Sequence, residues 1–323
     1  VRSRRQRQMC IRDSLITGHK IPDTDSICSA ISYTELKHAQ GVENAVACRL
    51  GKVSRETQYA LDHFGAEAPL FLDNVNPDAD GTKKKVILVD HNERFQTPDG
   101  IENAKILEVI DHHKFNLITD EPLKIVADTV GCTSTIVYRL YKQAGITPSK
   151  RAAGLMMSAI ISDTLLFKSP TCTPEDVEAV KELSKLAGEE NYEEYGMKLL
   201  IEGTTLSDKT PDEIITMDMK EFDMNGKTVA IAQVNTVDTK GTLSMQADLE
   251  KAMNDRINAK GYDLFVLIIT DIVKAGSYVL ATGKSPELVE KGFKVTLENN
   301  TAWLEGVVSR KKQVVPFMLE ASK

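Results

Sequence analysis

The 323-residue sequence predicts an α/β protein: an amino-terminal, doubly wound, mainly parallel sheet, then a smaller carboxy-terminal α/β domain with a mixed sheet. Three observations carry this. Strand-like apolar runs alternate with helix-like segments up to Gly203, the pattern of a parallel sheet wound with helices. Those runs are continuously apolar, which fits strands buried on both faces. Around Gly203–Pro211 the composition turns polar and turn-rich, and a second group of strand signals begins beyond it.

Residues 1–14, VRSRRQRQMCIRDS, are basic and without apolar period. They lack the apolar stretch of a secretory signal and read as a non-native leader in preference to a basic tail for an anionic partner. Leu15 and Ile16 begin the first strand. A helix follows Asp25 to about Gln40, with Ile27, Ala30, Ile31 and Leu36 near helical spacing and Gly41 as terminator. A strand at Ala45–Arg49 and a helix through Gln58–Phe64 come next. The runs before Asp90 and Asp111 are strands, and Ser134–Gln143 is a helix stopped by Gly145. Leu155–Ser162, ending at Asp163, fits either a buried strand or a helix. Thr173-Pro174-Glu175-Asp176 combines an N-cap, a proline at the first helical position and first-turn acids, starting a helix that ends at Gly188. The metal-type motifs of the first domain fall within 15–202, and 203–210 is the linker. The second domain, 211–323, carries strands at Thr228–Val237, Asp263–Asp271 and Tyr278–Thr282, with a helix at Met245–Ala259 before the second of them.

Composition removes several function classes. A hydrophobic fraction of 41% and a charged fraction of 27% are those of a globular protein. No apolar run approaches the roughly 20 residues that span a bilayer. The net charge of −7 argues against non-specific nucleic-acid binding. Five scattered cysteines (10, 28, 48, 132 and 172) contain no CxxC pair, which suits a reducing cytosol and gives no structural zinc site.

The chemistry concentrates at the carboxyl ends of the apolar runs. Gly18-His19-Lys20-Ile21-Pro22-Asp23-Thr24-Asp25-Ser26 places one imidazole and two carboxylates in a strand–turn–helix, where open α/β sheets bind ligands. Alone, such a triplet is a capping turn more often than a ligand set. Asp90-His91-Asn92, Asp111-His112-His113 and Asp163 supply matching groups, and four of the six histidines (19, 91, 112 and 113) sit at these ends. His38 and His63 read as surface residues. His19, Asp23, Asp25, Asp90, His112 and Asp163 exceed the needs of one four-coordinate ion and suit two ions sharing a carboxylate. Two such ions, roughly 3.5–4 Å apart, activate a bridging water for in-line attack on phosphorus. Adjacent strand residues point opposite ways, so of His112 and His113 one should ligate and the other face substrate or support the ligands. Asp111 is either a strand-end acid or the acceptor of a histidine N–H. Oxygen and imidazole donors without thiolate favour Mn²⁺ or Co²⁺, with Mg²⁺ arriving on substrate phosphate. Ser309-Arg310-Lys311-Lys312-Gln313 fits both a solvated turn and an anion clamp. As a clamp, Arg310 and Lys311 would face the metals across a hinge near 203–210.

With these residues assembled, the chain resembles the family II inorganic pyrophosphatases, the manganese-dependent branch of the DHH phosphoesterase superfamily. The motifs are GHxxPDTDS (18–26), VDHNE (89–93), Asp111-His112-His113, SAIISDTLLFKSPTCT (158–173) and SRKKQVVP (309–316). The resemblance spans about residues 15–323 and implies a DHH catalytic domain followed by a DHHA2-type substrate-binding domain. It implies that His19, Asp23 and Asp90 hold one Mn²⁺ and that Asp25, Asp90, His112 and Asp163 hold the second, Asp90 bridging. It further implies that His113, Lys220, Arg310 and Lys311 contact pyrophosphate, and that Asp90 and these four residues form the catalytic set. Spacing alone leaves Lys220 a surface lysine. His91 and Asn92 receive a supporting or substrate-side role. A cytoplasmic homodimer, paired through strand edges of the amino-terminal domain, is also implied. The short stretch between Asp90 and Asp111 leaves no room for a regulatory nucleotide-binding insert.

The rival readings are an exopolyphosphatase and another DHH-superfamily phosphodiesterase such as a nano-RNase. The second ordinarily carries a glycine-rich GGGH-type signature that this sequence lacks, and an aromatic content of 6% gives little for base stacking. A non-enzymatic metal-binding module leaves the cationic motif unexplained.

Overall fold

The computed structural model describes residues 14–323. The predicted leader lies outside the described residues except for Ser14, which opens the first strand. The chain divides into two compact units, Val1–Gly203 and Thr204–Lys323.

The first unit runs β1 (Ser14–Thr17), α1 (Thr24–Ala39), β2 (Ala45–Arg49), α2 (Arg55–His63), β3 (Leu70–Phe71), β4 (Lys85–Val89), β5 (Lys105–Asp111), β6 (Lys124–Ala127), α3 (Thr133–Ala144), α4 (Lys150–Thr164), α5 (Pro174–Ala187) and α6 (Tyr192–Thr204). Its six strands form one sheet in the order β3-β2-β1-β4-β5-β6, every neighbouring pair parallel. Chain order reverses between β1 and β4, which makes the crevice at their carboxyl ends the place for a ligand. Side chains alternate across the sheet. Ile16, Ile87, Val89 and Ile110 join the core beneath α1, α3, α4 and α5. Leu15, Val86, Leu88 and Val109 face the other way, where Leu72, Val75 and Ile101 cover them from loops and a single 3₁₀ turn. Burial on both faces is why these strands read as unbroken apolar runs.

Capping residues set the helix limits. Ser54 caps α2 through the Thr57 N–H, so that helix starts at Arg55, ahead of the predicted Gln58. Gly145 and Gly188 close α3 and α5 in the left-handed conformation, and Thr173 with Asp176 forms a capping box on α5. Leu155–Ser162 is helical: Ser149 caps α4 and Asp163 lies in its last turn, not at a strand end.

The second unit comprises α7 (Pro211–Thr216), β7 (Lys220–Met224), β8 (Lys227–Thr236), α8 (Thr239–Ser244), α9 (Gln246–Lys260), β9 (Leu264–Asp271), β10 (Gly276–Gly283), α10 (Glu287–Phe293), β11 (Thr301–Glu305) and α11 (Val315–Ala321), with a π-helical turn at Arg310–Val314. The sheet order is β11-β10-β9-β8-β7. Only β8 and β9 pair in parallel, giving the mixed sheet expected. Ala230, Ala232 and Val234 of β8 face a core with Leu249 and Met253, while Val229 and Ile231 face one with Leu288, Val314 and Met318. No helix among the described residues is long and apolar enough to cross a membrane.

Candidate metal centre

The turn after β1 is built by close packing. A side chain at Gly18 would put its Cβ 1.7 Å from Ser26 Oγ, so only glycine allows the His19 N–H to donate to that hydroxyl at 2.8 Å. Asp23 divides its carboxylate. Its Oδ1 caps α1 by accepting from the Ser26 N–H at 2.9 Å, and its Oδ2 stands 3.3 Å from His19 Nε2. One oxygen thus serves as the cap while the other stands among ligand-type atoms.

Asp90 follows β4 directly, with its backbone left-handed at φ 62°. Asp and Asn tolerate that region better than most residues. One oxygen, Oδ2, lies 3.4 Å from His19 Nε2 and lacks any hydrogen bond, while Oδ1 lies 3.5 Å from His112 Nε2. The carboxylate therefore joins two groups of ligand-type atoms, His19–Asp23–Asp90 and Asp25–His112–Asp163, and a third group adds His113 to Asp90 and His112. No cysteine enters these groups among the described residues.

Three backbone-borne contacts aim the remaining donors. His112 Nδ1 pairs with the Val130 carbonyl at 3.1 Å, which turns Nε2 toward Asp90. Asp25 accepts from the Thr133 and Ser134 N–H groups at the start of α3, at 2.6 and 3.0 Å, and from the Ser134 and Ser29 hydroxyls. Thr133 Oγ1 donates to Asp90 at 3.2 Å. Asp163 is delivered from the end of α4, which leaves through Leu165, Leu166 and Phe167, all at positive φ. Such a run is costly for non-glycine residues and marks a segment whose path is constrained.

His112 and His113 do not point to opposite sides. β5 ends at Asp111, so the strand alternation on which that expectation rested has stopped. Their rings stand 4.2 Å apart, and His113 Nδ1 lies 3.8 Å from Asp90 Oδ1. Asp111 accepts from both the backbone and the Nδ1 of His113, at 3.0 and 2.9 Å. Asn92 clamps Asp111 at 2.6 Å and also accepts from the Asn116 N–H. His91 is buried, paired through Nδ1 with the Val89 carbonyl.

The electrostatics are those of a carboxylate-rich cage. Burial and repulsion from Asp25 and Asp23 push Asp90 up to about 7, and burial with repulsion from Asp25 raises Asp163 well above the carboxylate range. Burial disfavours the imidazolium of His19 and His112, yet Asp23 and Asp90 outweigh it for His19, raising it to about 10. Asp90 and Asp25 do the same for His112, raising it to about 9. Positive charge is what this pocket demands, and its oxygen and nitrogen donors fit Mn²⁺ or Co²⁺.

The second unit carries the cations. Lys220 opens β7 with an exposed side chain. Arg310 is buried, its Nη2 donating to Asp218 at 2.8 Å, and with Lys311 it lines a cavity of about 500 Å³. Sequence reasoning missed the residues that hold these groups: Val130–Ser134, Asp176, Asp218 and Gln233. Only Asp176 left a signal, as the third residue of a capping box.

A cluster of carboxylate and imidazole donors at the switch point of a parallel sheet, with a separate mixed-sheet domain, defines a DHH-type two-domain protein. The family model for the DHH amino-terminal domain matches residues 13–160, and that for the DHHA2 domain matches 197–321. A Bacillus cereus (strain AH187) protein assigned as a manganese-dependent inorganic pyrophosphatase is 52% identical over 308 residues, covering 95% of this chain and 98% of that protein. A Bacillus anthracis protein with the same assignment matches equally. Among solved structures, a Methanococcus jannaschii protein assigned to the family II inorganic pyrophosphatases aligns with TM-score 0.60 at 42% identity, over 96% of this chain and 99% of that one. An exopolyphosphatase-related protein from Bacteroides fragilis shares the fold at TM-score 0.51 and 15% identity, over 96% and 92% of the two chains. The chain belongs to the family of manganese-dependent inorganic pyrophosphatases.

Proposed function

We propose that this chain hydrolyses inorganic pyrophosphate to two phosphates, with His19, Asp23 and Asp90 holding one Mn²⁺ and Asp25, Asp90, His112 and Asp163 holding a second. The observation that carries the reading is the Asp90 carboxylate, whose two oxygens face two different donor groups. The identity of 52% to proteins assigned this activity supports it independently.

When bound, the paired ions supply Lewis acidity at the phosphoryl group and an activated water. The protein's own residues do the rest. Asp23 and Asp25 leave one turn toward different donor groups, so a single rigid loop sets the separation of the two positions. His112, oriented by Val130, and Asp25, oriented by α3, are held before any ion arrives, which limits reorganisation. His113, held by Asp111, is the imidazole available to a phosphate oxygen. Lys220, Arg310 and Lys311 bind the anionic substrate, Arg310 through its planar donors and the lysines as point charges. Residues 203–210 act as the hinge, and Mg²⁺ enters with the substrate. The chain works in the cytoplasm as a homodimer joined through edge strands of the amino-terminal sheet; β6, with Ile125 half exposed, is one such edge.

The deciding assay is phosphate release by the Mn²⁺-loaded protein from pyrophosphate, tripolyphosphate and a dinucleotide in parallel. Pyrophosphate should be turned over fastest. Cleavage of the dinucleotide without pyrophosphate hydrolysis would overturn the reading, and preference for tripolyphosphate would move the substrate to longer chains. Arg310→Ala should raise KM and slow turnover at unchanged metal content. Light scattering should give the mass of two chains.

A further inference from the structure

Arg310 is held in a way that its role as a phosphate ligand does not require. Its side chain is 8% exposed, Nη2 is bonded to Asp218 Oδ1 at 2.8 Å, and Nη1 is buried without a partner. A buried guanidinium donor left unmatched is costly, and such costs persist where function uses them. Asp218 is itself unusual: a non-glycine residue at φ 43°, its carboxylate 60% exposed, two positions before Lys220. The backbone of Arg310 is fixed separately, its N–H donating to Gln233 Oε1 at 2.9 Å. Gln233 lies on the face of β8 that bears Val229 and Ile231, and its Nε2 donates to Thr270 Oγ1 and to the Val308 carbonyl. Gln313 ties the same turn by accepting from the Val308 and Ser309 N–H groups. Asp218, Gln233, Arg310 and Lys311 all line the same cavity.

We propose that Asp218 and Gln233 are positioning residues for Arg310. Gln233 fixes where its backbone starts, and Asp218 occupies one edge of the guanidinium so that the other is kept for a phosphate oxygen. The flexible side chain thereby loses rotamer freedom before substrate binds, which favours affinity. Asp218 also ties the segment leading to Lys220 to the turn carrying Arg310 and Lys311. This rests on the pyrophosphatase reading.

A double-mutant cycle on the Mn²⁺-loaded, full-length protein tests it. Asp218→Asn keeps the residue's tolerance of positive φ while removing the charge; it should raise KM for pyrophosphate about tenfold, the scale of a charge-assisted hydrogen bond, with kcat lowered less. Asp218→Glu should restore part of the loss. In an Arg310→Ala background, Asp218→Asn and Gln233→Ala should have no further effect, and manganese content should match wild type throughout. Additive effects in that background, a kcat loss with KM unchanged, or no effect of either single variant would overturn the assignment. If the wild-type protein does not hydrolyse pyrophosphate, the functional reading falls. The same cycle read as affinity for inorganic phosphate then decides the positioning role: non-additivity supports it and additivity refutes it.

Discussion

Replacing Asp90 by Asn should strip the protein of both ions at once. Its two oxygens lie 3.4 Å from His19 and 3.5 Å from His112, and among the described residues it is the carboxylate that recurs in two of the ligand-type groups. Asn adopts the φ of 62° that this position requires, so the change removes charge without adding backbone strain. A unit charge pair about 4 Å apart, at an effective dielectric constant of about 20, is worth about 4 kcal/mol, roughly a thousandfold in affinity. A divalent ion feels at least that loss, and here each of two ions feels it. The assay is metal content by mass spectrometry after Mn²⁺ loading and desalting, with titration calorimetry for the affinities. Wild type should retain two ions per chain and Asp90→Asn none, while His19→Ala should lose one and keep the other. Circular dichroism should be unchanged. Two tightly retained ions in Asp90→Asn, or loss of only one, refutes the shared-ligand argument.

Gly131→Ala should weaken manganese binding about 10–100-fold, the usual cost of disturbing groups behind the ligands. Its Cβ would stand 2.8 Å from both Asp176 Oδ2 and Thr164 Cγ2, displacing the segment that orients His112 and Asp25; unchanged affinity by calorimetry would remove that role. Chelating the bound ions should lower the calorimetric unfolding midpoint, since free metal at 100 times its Kd contributes about 2.7 kcal/mol; a fixed midpoint would show binding uncoupled from folding. Glu108 sits far from this chemistry on β5, and burial opposes its ionisation, yet hydrogen bonds from Lys37 and Tyr33 prevail and hold its carboxyl below the ordinary 4.5. A depressed folded pKa stabilises above the unfolded value and loses that contribution as pH falls through the folded one. Glu108→Gln should therefore cost about 1–3 kcal/mol at neutral pH, with the gap closing in acid; a gap constant with pH, by denaturant titration, would contradict this.

Much of the cage was legible because open parallel sheets announce themselves. An apolar run ending in Asp means a buried strand and a polar tip; Val86–Asp90 kept that promise unbroken, and in Ile106–Asp111 the one interruption, Glu108, is met by Lys37 and Tyr33. Caps were equally plain, with Thr173-Pro174, Gly145 and Gly188 marking real helix ends. Asp163 was ambiguous for a physical reason. Helix α4 packs against α1, α3 and α5 and is buried nearly all round, which erases the period that separates a helix from a strand. The edge strand β6 went unseen because it is only four residues long and mostly exposed, and β7 because it is short and charged. The residues behind the site were hidden because their partners are remote in sequence: Asp176 reaches Gly131, and Asp218 reaches Arg310.

The donors of the cage come from the turn after β1, the ends of β4 and β5, and the last turn of α4, nearly the whole length of the first unit. Contacts so distant along the chain carry a large loop-closure cost and form slowly. No short segment presents enough of them to capture manganese from an unfolded or half-made chain. The backbone from Val130 to Ser134 therefore matters as much as the donors, since it gathers His112 and Asp25, remote from each other in sequence, into one place.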